Sequence, residues 1–562
     1  MPQRGRPALT SKTRINEVFN QVPPLVGVNL VALDQALLDA MAHNGADAIS
    51  GGFLSYGETW GGAERFDMAR LANRNPPLLH THDSCGRRSD TVEFHPAYHW
   101  LMEASVENGL QASTWDTPSA SNGLADAAPR MPHVERAARL FVAAQVESGH
   151  VCPMTMTHAS VATLQAAPDR LRDWLPLIRS RTYDARFLPF WEKRGVTLGM
   201  GMTEKQGGTD VRANTTVAVQ TAGEEYALTG HKWFFSAPMS DGFLVLAKVG
   251  KEPTAFLVPR FRPDGNVNAL HFQRLKDKLG NRSNASAEVE FKDAFAWRIG
   301  EEDKGIGTIL KMVQLTRLDC AVASAGLLRM GTALALHHAQ HRSVFQRKLV
   351  DQPAMRAVLA DLALEQEAAT ALALRLAASF DRAEKAPHEA ARARVLTPVV
   401  KFALCKATPG FVFEAMECLG GNGYIEDSPM PRLYREAPVN AIWEGAGNVM
   451  ALDLMRAASK QAEVVAATLV TLGEETRGLP GAAEAARDIE DALKDPQAEA
   501  RARFAVTRLA ALAATAALAG SAPAEIAEAY ARTRLAKAPW PLGANDLGSV
   551  TDLLIGRTLP LI

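Results

Sequence analysis

The stretch Met202-Thr-Glu-Lys-Gln-Gly-Gly-Thr-Asp-Val211 governs how the rest of the chain is read. It is polar and rich in glycine, and it lies between an apolar run and a strand-like region. Gly207 and Gly208 let a backbone come close to a ligand, while Thr203 and Thr209 add hydroxyls. Alone, such a segment is most often a plain surface turn. Three further segments change that reading: Gly230-His-Lys-Trp-Phe-Phe-Ser236, Glu417-Cys-Leu-Gly-Gly-Asn-Gly-Tyr424 and Ile442-Trp-Glu-Gly-Ala-Gly-Asn448.

At 562 residues the chain exceeds what one core can use, so about three or four domains are expected. Hydrophobic residues at 47% and charged ones at 22% fit a soluble globular protein. A net charge of −1 supplies no overall positive field for nucleic acid or acidic lipid, so any such partner must be held by a local patch. Cys85, Cys152, Cys320, Cys405 and Cys418 are scattered and form no CxxC pair, which fits reduced thiols. The alanine-rich run at 509–520 reads as too short for a bilayer, and residues 1–7 lack the apolar core of a signal peptide. The end, Leu559-Pro-Leu-Ile562, is no peroxisomal address. A cytoplasmic protein without a membrane partner is expected.

The first 194 residues read as a helical domain broken by Pro- and Gly-rich loops, at 75–77 and 117–123 among others. Apolar residues recur at helical spacing over 33–41 and 134–146. A β domain follows over 195–302, with short strand-like runs at 215–219, 226–228, 243–247, 255–258 and 287–291, as a small barrel or sandwich requires. Residues 303–460 read as a helical bundle, with long Ala- and Leu-rich segments at 309–341, 354–383 and 396–419. Residues 461–562 form a further helical extension, clearest at 488–494 and 503–518. The expected class is α+β, mainly helical.

In order and spacing, the four motifs resemble the flavin-binding and catalytic signatures of the acyl-CoA dehydrogenases. The resemblance implies an N-terminal helical domain, a middle β-barrel or sandwich, a four-helix bundle, and FAD as cofactor. In that family the turn reads Thr-Glu-x-x-x-Gly-Ser-Asp; here Lys205 replaces the usual Pro and Thr209 the Ser, which keeps the hydroxyl. The resemblance places Met202, Thr203, Gly208 and Thr209 at the flavin, with Thr209 also near the thioester ligand. A flavin needs an aromatic platform and edge hydrogen bonds. Trp233, Phe234 and Phe235 offer the first and Ser236 the second, although one or two of these aromatics are expected to be strand core. Arg342-Ser-Val-Phe345 and Gln352 resemble the helix segment that reaches the adenosine diphosphate half of a neighbouring subunit's FAD, with Gln346 where the family has Gly. Gly420, Gly421 and Gly423 would touch that same cofactor, and the expected assembly is a homotetramer.

Oxidising a thioester between its α and β carbons requires a carboxylate that takes the α proton. By the resemblance Glu444 is that base, with Trp443, Gly445 and Asn448 beside the flavin. Desolvation in such a turn would raise its pKa. A minority branch of the family takes its base from the first long helix after the β domain, immediately before an arginine. Here that arginine is Arg317, a substrate-side residue, and Thr316 precedes it; a threonine cannot act as the base. Ala446 stands where the family usually has Thr.

His337 and His341 have i, i+4 spacing, but no carboxylate or Cys completes a metal set, so no metal is expected. Asn281 and Asn284 head glycosylation sequons that a cytosolic protein does not use. Longer runs, such as Arg274-Leu-Lys-Asp-Lys-Leu-Gly-Asn-Arg-Ser-Asn-Ala-Ser286 and Tyr434-Arg-Glu436, resemble a DNA-alkylation-response branch of the family. That likeness implies weak dehydrogenation of a short or branched acyl-CoA and binding of double-stranded DNA through the C-terminal region. Yet residues 445–562 hold 12 Lys plus Arg against 14 Asp plus Glu, so the tail is not visibly a DNA clamp. Arg456 is the best-anchored DNA candidate; Arg501, Arg503, Arg508, Arg532, Arg534 and Lys537 could join it, though more than half are expected to be ordinary solvated charges. The alternative to a dehydrogenase is thus a DNA-binding protective flavoprotein with little thioester turnover.

Overall fold

The computed structural model describes residues 18–49, 51–116, 131–495, 498–537 and 547–559. The loop read at 117–123, residues 1–7 and residues 560–562 lie outside them. Helices α1 (Gln35–His43), α2 (Gly51–Gly61) and α3 (Ala63–Arg74) come first, then the hairpin β1 (Leu78–His82) and β2 (Arg88–Glu93). Helices α4 (Pro96–Glu107), α5 (Pro132–Val146), α6 (Val151–Leu164) and α7 (Pro168–Ile178) follow. Proline opens α4, α5 and α7, where its missing N–H costs nothing and its φ is already helical. The antiparallel hairpin was not anticipated. Its first strand alternates only between exposed and half-buried residues, so it carries no apolar face for the sequence to reveal.

Seven strands form the middle of the chain: β3 (Leu198–Gly201), β4 (Val217–Ala222), β5 (Glu225–Ser236), β6 (Gly242–Lys248), β7 (Pro253–Pro259), β8 (Leu270–Leu275) and β9 (Ser286–Ile299). Antiparallel β5–β9, β9–β7 and β7–β6 pairings continue through the parallel β6–β3 pair and back to β5, which closes a barrel. Its interior is aromatic, with Tyr226, Phe235, Phe243, Phe256, Phe272 and Phe291 all buried. A second apolar layer, including Trp174, Leu198, Leu244 and Leu257, joins the barrel's outer face to α6, α7 and the start of the next helix.

That helix, α8 (Gly305–His341), leads into the small hairpin β10 (Ser343–Val344) and β11 (Arg347–Lys348). Next come α9 (Pro353–Arg382), α10 (Pro387–Cys418), the single turn α11 (Gly421–Tyr424), α12 (Met430–Glu436) and α13 (Gly447–Lys460). The chain closes with α14 (Ala462–Glu475), α15 (Ala482–Lys494), α16 (Ala498–Ser521), α17 (Ala524–Tyr530), a π-helical turn at Ala531–Leu535 and α18 (Val550–Thr558). One continuous core joins the N-terminal helices, the bundle and the C-terminal helices; it includes Trp60, Phe141, Leu372, Val399, Leu509 and Ile526. The run at 509–520 is part of the 24-residue α16, so the expectation that it is too short for a bilayer is corrected. Helices α8, α10 and α16 are each long and apolar enough to cross a membrane, and the apolar stretch of each is mostly buried inside the protein.

Candidate active site

The turn between the short helical segment Val439–Ala441 and α13 carries Glu444, and its backbone is unusual. Glu444 has φ +58° and Gly445 φ +102°, both in the left-handed region. The φ of Gly445 favours glycine, and a Cβ there would also push aside the Met450 methyl, the movable end of its side chain. Strain of this kind persists only when neighbours hold the chain. Two cations do so from beneath: Arg317 Nε donates to the Glu444 carbonyl at 3.0 Å, and Lys401 Nζ donates to the Gly445 carbonyl. Arg317 also pairs with Asp453 at 2.8 Å, and Arg394 reaches the other oxygen of that carboxylate at 3.2 Å.

Among the described residues the carboxylate has one donor, Thr316, whose Oγ1 lies 2.6 Å from Glu444 Oε2. Burial pushes the Glu444 pKa up, while Thr316, Arg317 and Lys401 pull it down. Nearby Cys152 is pushed up to about 12 by burial, so its thiol is neutral. Trp443 is half-buried and its indole N–H donates to Asn440 Oδ1 at 2.9 Å; Asn448 is exposed on the first turn of α13.

The Gly-rich turn meets β5 directly, because Trp233 N donates to the Thr203 carbonyl at 2.8 Å and Ser236 lies opposite Met200. Gly208 and Thr209 are exposed, and a Cβ on Gly208 would meet the Thr203 hydroxyl. Met202 packs against the layer that contains Met312 and Leu315 of α8, which carries the turn toward Thr316 and Arg317. A register shift in β5 between Lys232 and Phe235 separates the three aromatics. Phe234 is 49% exposed, whereas Phe235 is fully buried among Phe243, Phe272 and Phe291. The side chain of Phe235, one of the expected flavin-side aromatics, is therefore barrel core; the pleat turns it inward. Glu204, beneath the turn, accepts from both Thr215 and Thr216 and forms a wholly buried pair with Lys232 at 2.8 Å.

Arg342 ends α8, and Gln352 Nε2 donates to the Val344 carbonyl across the small hairpin, whose tip presents Phe345 at 89% exposure. Gly420 and Gly421 have open space where a Cβ would stand, and Gly423 is buried against Met416. This turn borders a cavity of about 610 Å³ lined by Leu419, Asn422, Arg70, Arg74, His337 and His338, among others. His337 Nε2 bonds to the Pro23 carbonyl at 2.9 Å, and its Nδ1 is buried without a partner. Among the described residues no group of three or more His, Cys, Asp or Glu stands together as a metal set.

Of the C-terminal cations, Arg534 is buried and paired with Asp361 at 2.6 Å and with Glu365, so it is structural and unavailable to DNA. Arg501 pairs with Asp495 and Arg508 with Asp488. Arg456, Arg503, Arg532 and Lys537 are exposed. Arg503 of α16 also reaches the Glu444 loop: a Cβ on Gly447 would lie 3.4 Å from its guanidinium, which stands 5.9 Å from the Phe402 ring. Sequence reasoning missed Lys401, Arg394, Asp453 and the Glu204–Lys232 pair. The available signal was a lone lysine within the apolar run Val399-Val400-Lys401-Phe402 and another at an inward strand position.

The fold is that of an acyl-CoA dehydrogenase. Residues 199–294 match the acyl-CoA dehydrogenase middle domain and residues 303–459 its C-terminal domain, and the chain belongs to this family of FAD-dependent oxidoreductases. Residues 20–185 match the N-terminal domain of the adaptive response protein AidB. AidB of Escherichia coli (strain K12) is 50% identical over 448 residues, covering 80% of this chain and 81% of the relative. Acyl-CoA dehydrogenase family member 11 of Caenorhabditis elegans is 31% identical over 427 residues, covering 71% and 65%. The crystal structure of Caenorhabditis elegans ACDH-11 in complex with C11-CoA superposes with a TM-score of 0.81 at 26% identity, covering 96% of each chain.

Proposed function

We propose that the chain dehydrogenates a short or branched acyl-CoA between Cα and Cβ, with Glu444 as the base. One observation carries this reading. The two cations under the catalytic turn bind its main-chain carbonyls, so the Glu444 carboxylate stays free to take a proton, and burial raises its affinity for one. FAD bound across the site supplies a two-electron acceptor for the β hydride. The α proton goes to Glu444, and the electron pair it leaves forms the α,β double bond.

The residues present fit this cofactor. Half-exposed Phe234 offers a platform, Ser236 an edge hydroxyl, and the Gly207–Gly208 segment a backbone approach that side chains would obstruct. Phe345 stands exposed at the tip of the small hairpin that Gln352 braces, with Arg342 at its base. In the proposal it reaches the adenosine half of a second copy's FAD, and the unpartnered His337 Nδ1 marks the cavity beside Gly420 as its neighbour.

A second reading, a DNA-binding protective flavoprotein acting in alkylation stress, draws on Arg456, Arg503, Arg532 and Lys537, which are exposed and make no ion pair among the described residues. The test is anaerobic bleaching of the flavin by isovaleryl-CoA, alongside titration with duplex DNA over a salt series. Bleaching that is lost in E444Q supports the dehydrogenase. Binding that weakens steeply with salt, with no bleaching, replaces it with the second reading.

A further inference from the structure

The hydroxyl of Thr316 stands between two acceptors. It lies 2.6 Å from Glu444 Oε2 and 3.0 Å from the carbonyl oxygen of Val313, one turn back in α8. A threonine hydroxyl has a single proton, so it serves one acceptor at a time. The charge on Glu444 decides which. An ionised carboxylate accepts far more strongly than a peptide carbonyl, whereas a carboxyl that has taken a proton on Oε1 competes on nearly even terms. Bonds from a helical threonine to a carbonyl in the preceding turn are common, so the turned-away state leaves no orphan hydroxyl.

The other groups facing the carboxyl do not supply this control. Arg317 of α8 and Lys401 of α10 hold main-chain carbonyls, and Asp453 of α13 is paired with Arg317 and Arg394. The thiols of Cys152 on α6 and Cys320 on α8 are kept neutral by burial. Among the described residues, Thr316 is the one hydrogen-bond donor to the Glu444 carboxylate, and it is 1% exposed.

We propose that Thr316 is the positioning residue of the base: its hydroxyl turns to Glu444 while the carboxylate is ionised and swings to Val313 once the substrate proton has arrived. It pins Oε2, leaves Oε1 to the substrate, and stabilises only the reactant form of the base. The proton moves from the substrate α carbon to Oε1, and the threonine keeps its own throughout. The inference rests on Glu444 being the base.

The test is made on the holoenzyme with T316V, which keeps the shape, and T316S, which restores the hydroxyl. Difference infrared spectra against pH give the carboxyl band that E444Q removes, and with it the Glu444 midpoint. Its midpoint, and the acid limb of flavin reduction by isovaleryl-CoA, should both rise by about one pH unit in T316V and return in T316S. On the acid side the rate of T316V should fall about tenfold. A midpoint unmoved in T316V overturns the inference. Undiminished bleaching by E444Q overturns instead the reading of Glu444 as base, whatever the midpoint does.

Discussion

Lys401 donates to the carbonyl of Gly445 and not to the carboxylate of Glu444, one residue away. A buried cation therefore holds the backbone of the turn and leaves the Glu444 side chain to other partners. Replacing Lys401 with Met keeps the apolar stem but removes this bond. A charge-assisted hydrogen bond of this kind contributes about 1.5–3 kcal/mol. If it serves the turn, single-turnover flavin reduction slows about ten- to a hundredfold while FAD stays bound. An unchanged rate would mean the turn keeps its shape without Lys401.

Gly445→Ala meets both the φ of +102° and the Met450 methyl. The expected loss is about 1–3 kcal/mol, seen as a lower Tm, with flavin reduction falling further because Glu444 is displaced. A Tm equal to the parent's would show that the turn relaxes freely.

Phe234 and Phe235 are adjacent in β5 but have different neighbours, and their alanine variants should separate. Phe235→Ala opens a void among Phe243, Phe272 and Phe291 and should cost about 3–5 kcal/mol. Phe234→Ala should leave the Tm of the FAD-free protein near the parent value and weaken FAD retention, measured as flavin lost on dilution. Equal FAD retention in F234A and the parent would remove Phe234 from the cofactor site.

Glu436 is buried, which raises its pKa to about 7 even though Asn281 donates to both its oxygens. Unfolded, the carboxyl ionises near its ordinary 4.5. Its contribution is therefore fully present below that value and is lost as pH rises toward about 7, a difference on the order of 3 kcal/mol. The fall in Tm from about pH 5 to about pH 7.5 should thus be shallower in E436Q than in the parent. Parallel curves would assign that pH dependence to other groups.

Much of the fold was legible because its signals are periodic. Helices α8, α9 and α10 carry apolar residues over many turns, and β6 and β7 hold the unbroken apolar runs 243–247 and 255–258, as strands buried on both faces do. The β1–β2 hairpin was hidden because neither strand has a fully buried face. At the site, motifs gave the turn of Glu444 but not what holds it. Lys401 comes from α10 and Arg317, the partner of Asp453, from α8, and only folding brings them beneath the turn. That one or two of the three consecutive aromatics would be strand core was legible, but which one turns inward is set by a register shift invisible in the sequence. Arg534 looked like a solvated charge because its acidic partners, Asp361 and Glu365, lie on another helix.

The closeness of Arg503 to Gly447 makes the C-terminal helices part of the wall behind the catalytic loop. These helices are therefore no exchangeable cassette. A chimera that grafts another tail after α13 must also supply a side chain of matching reach at position 503, or the loop bearing Glu444 is left resting against a surface it was not shaped for.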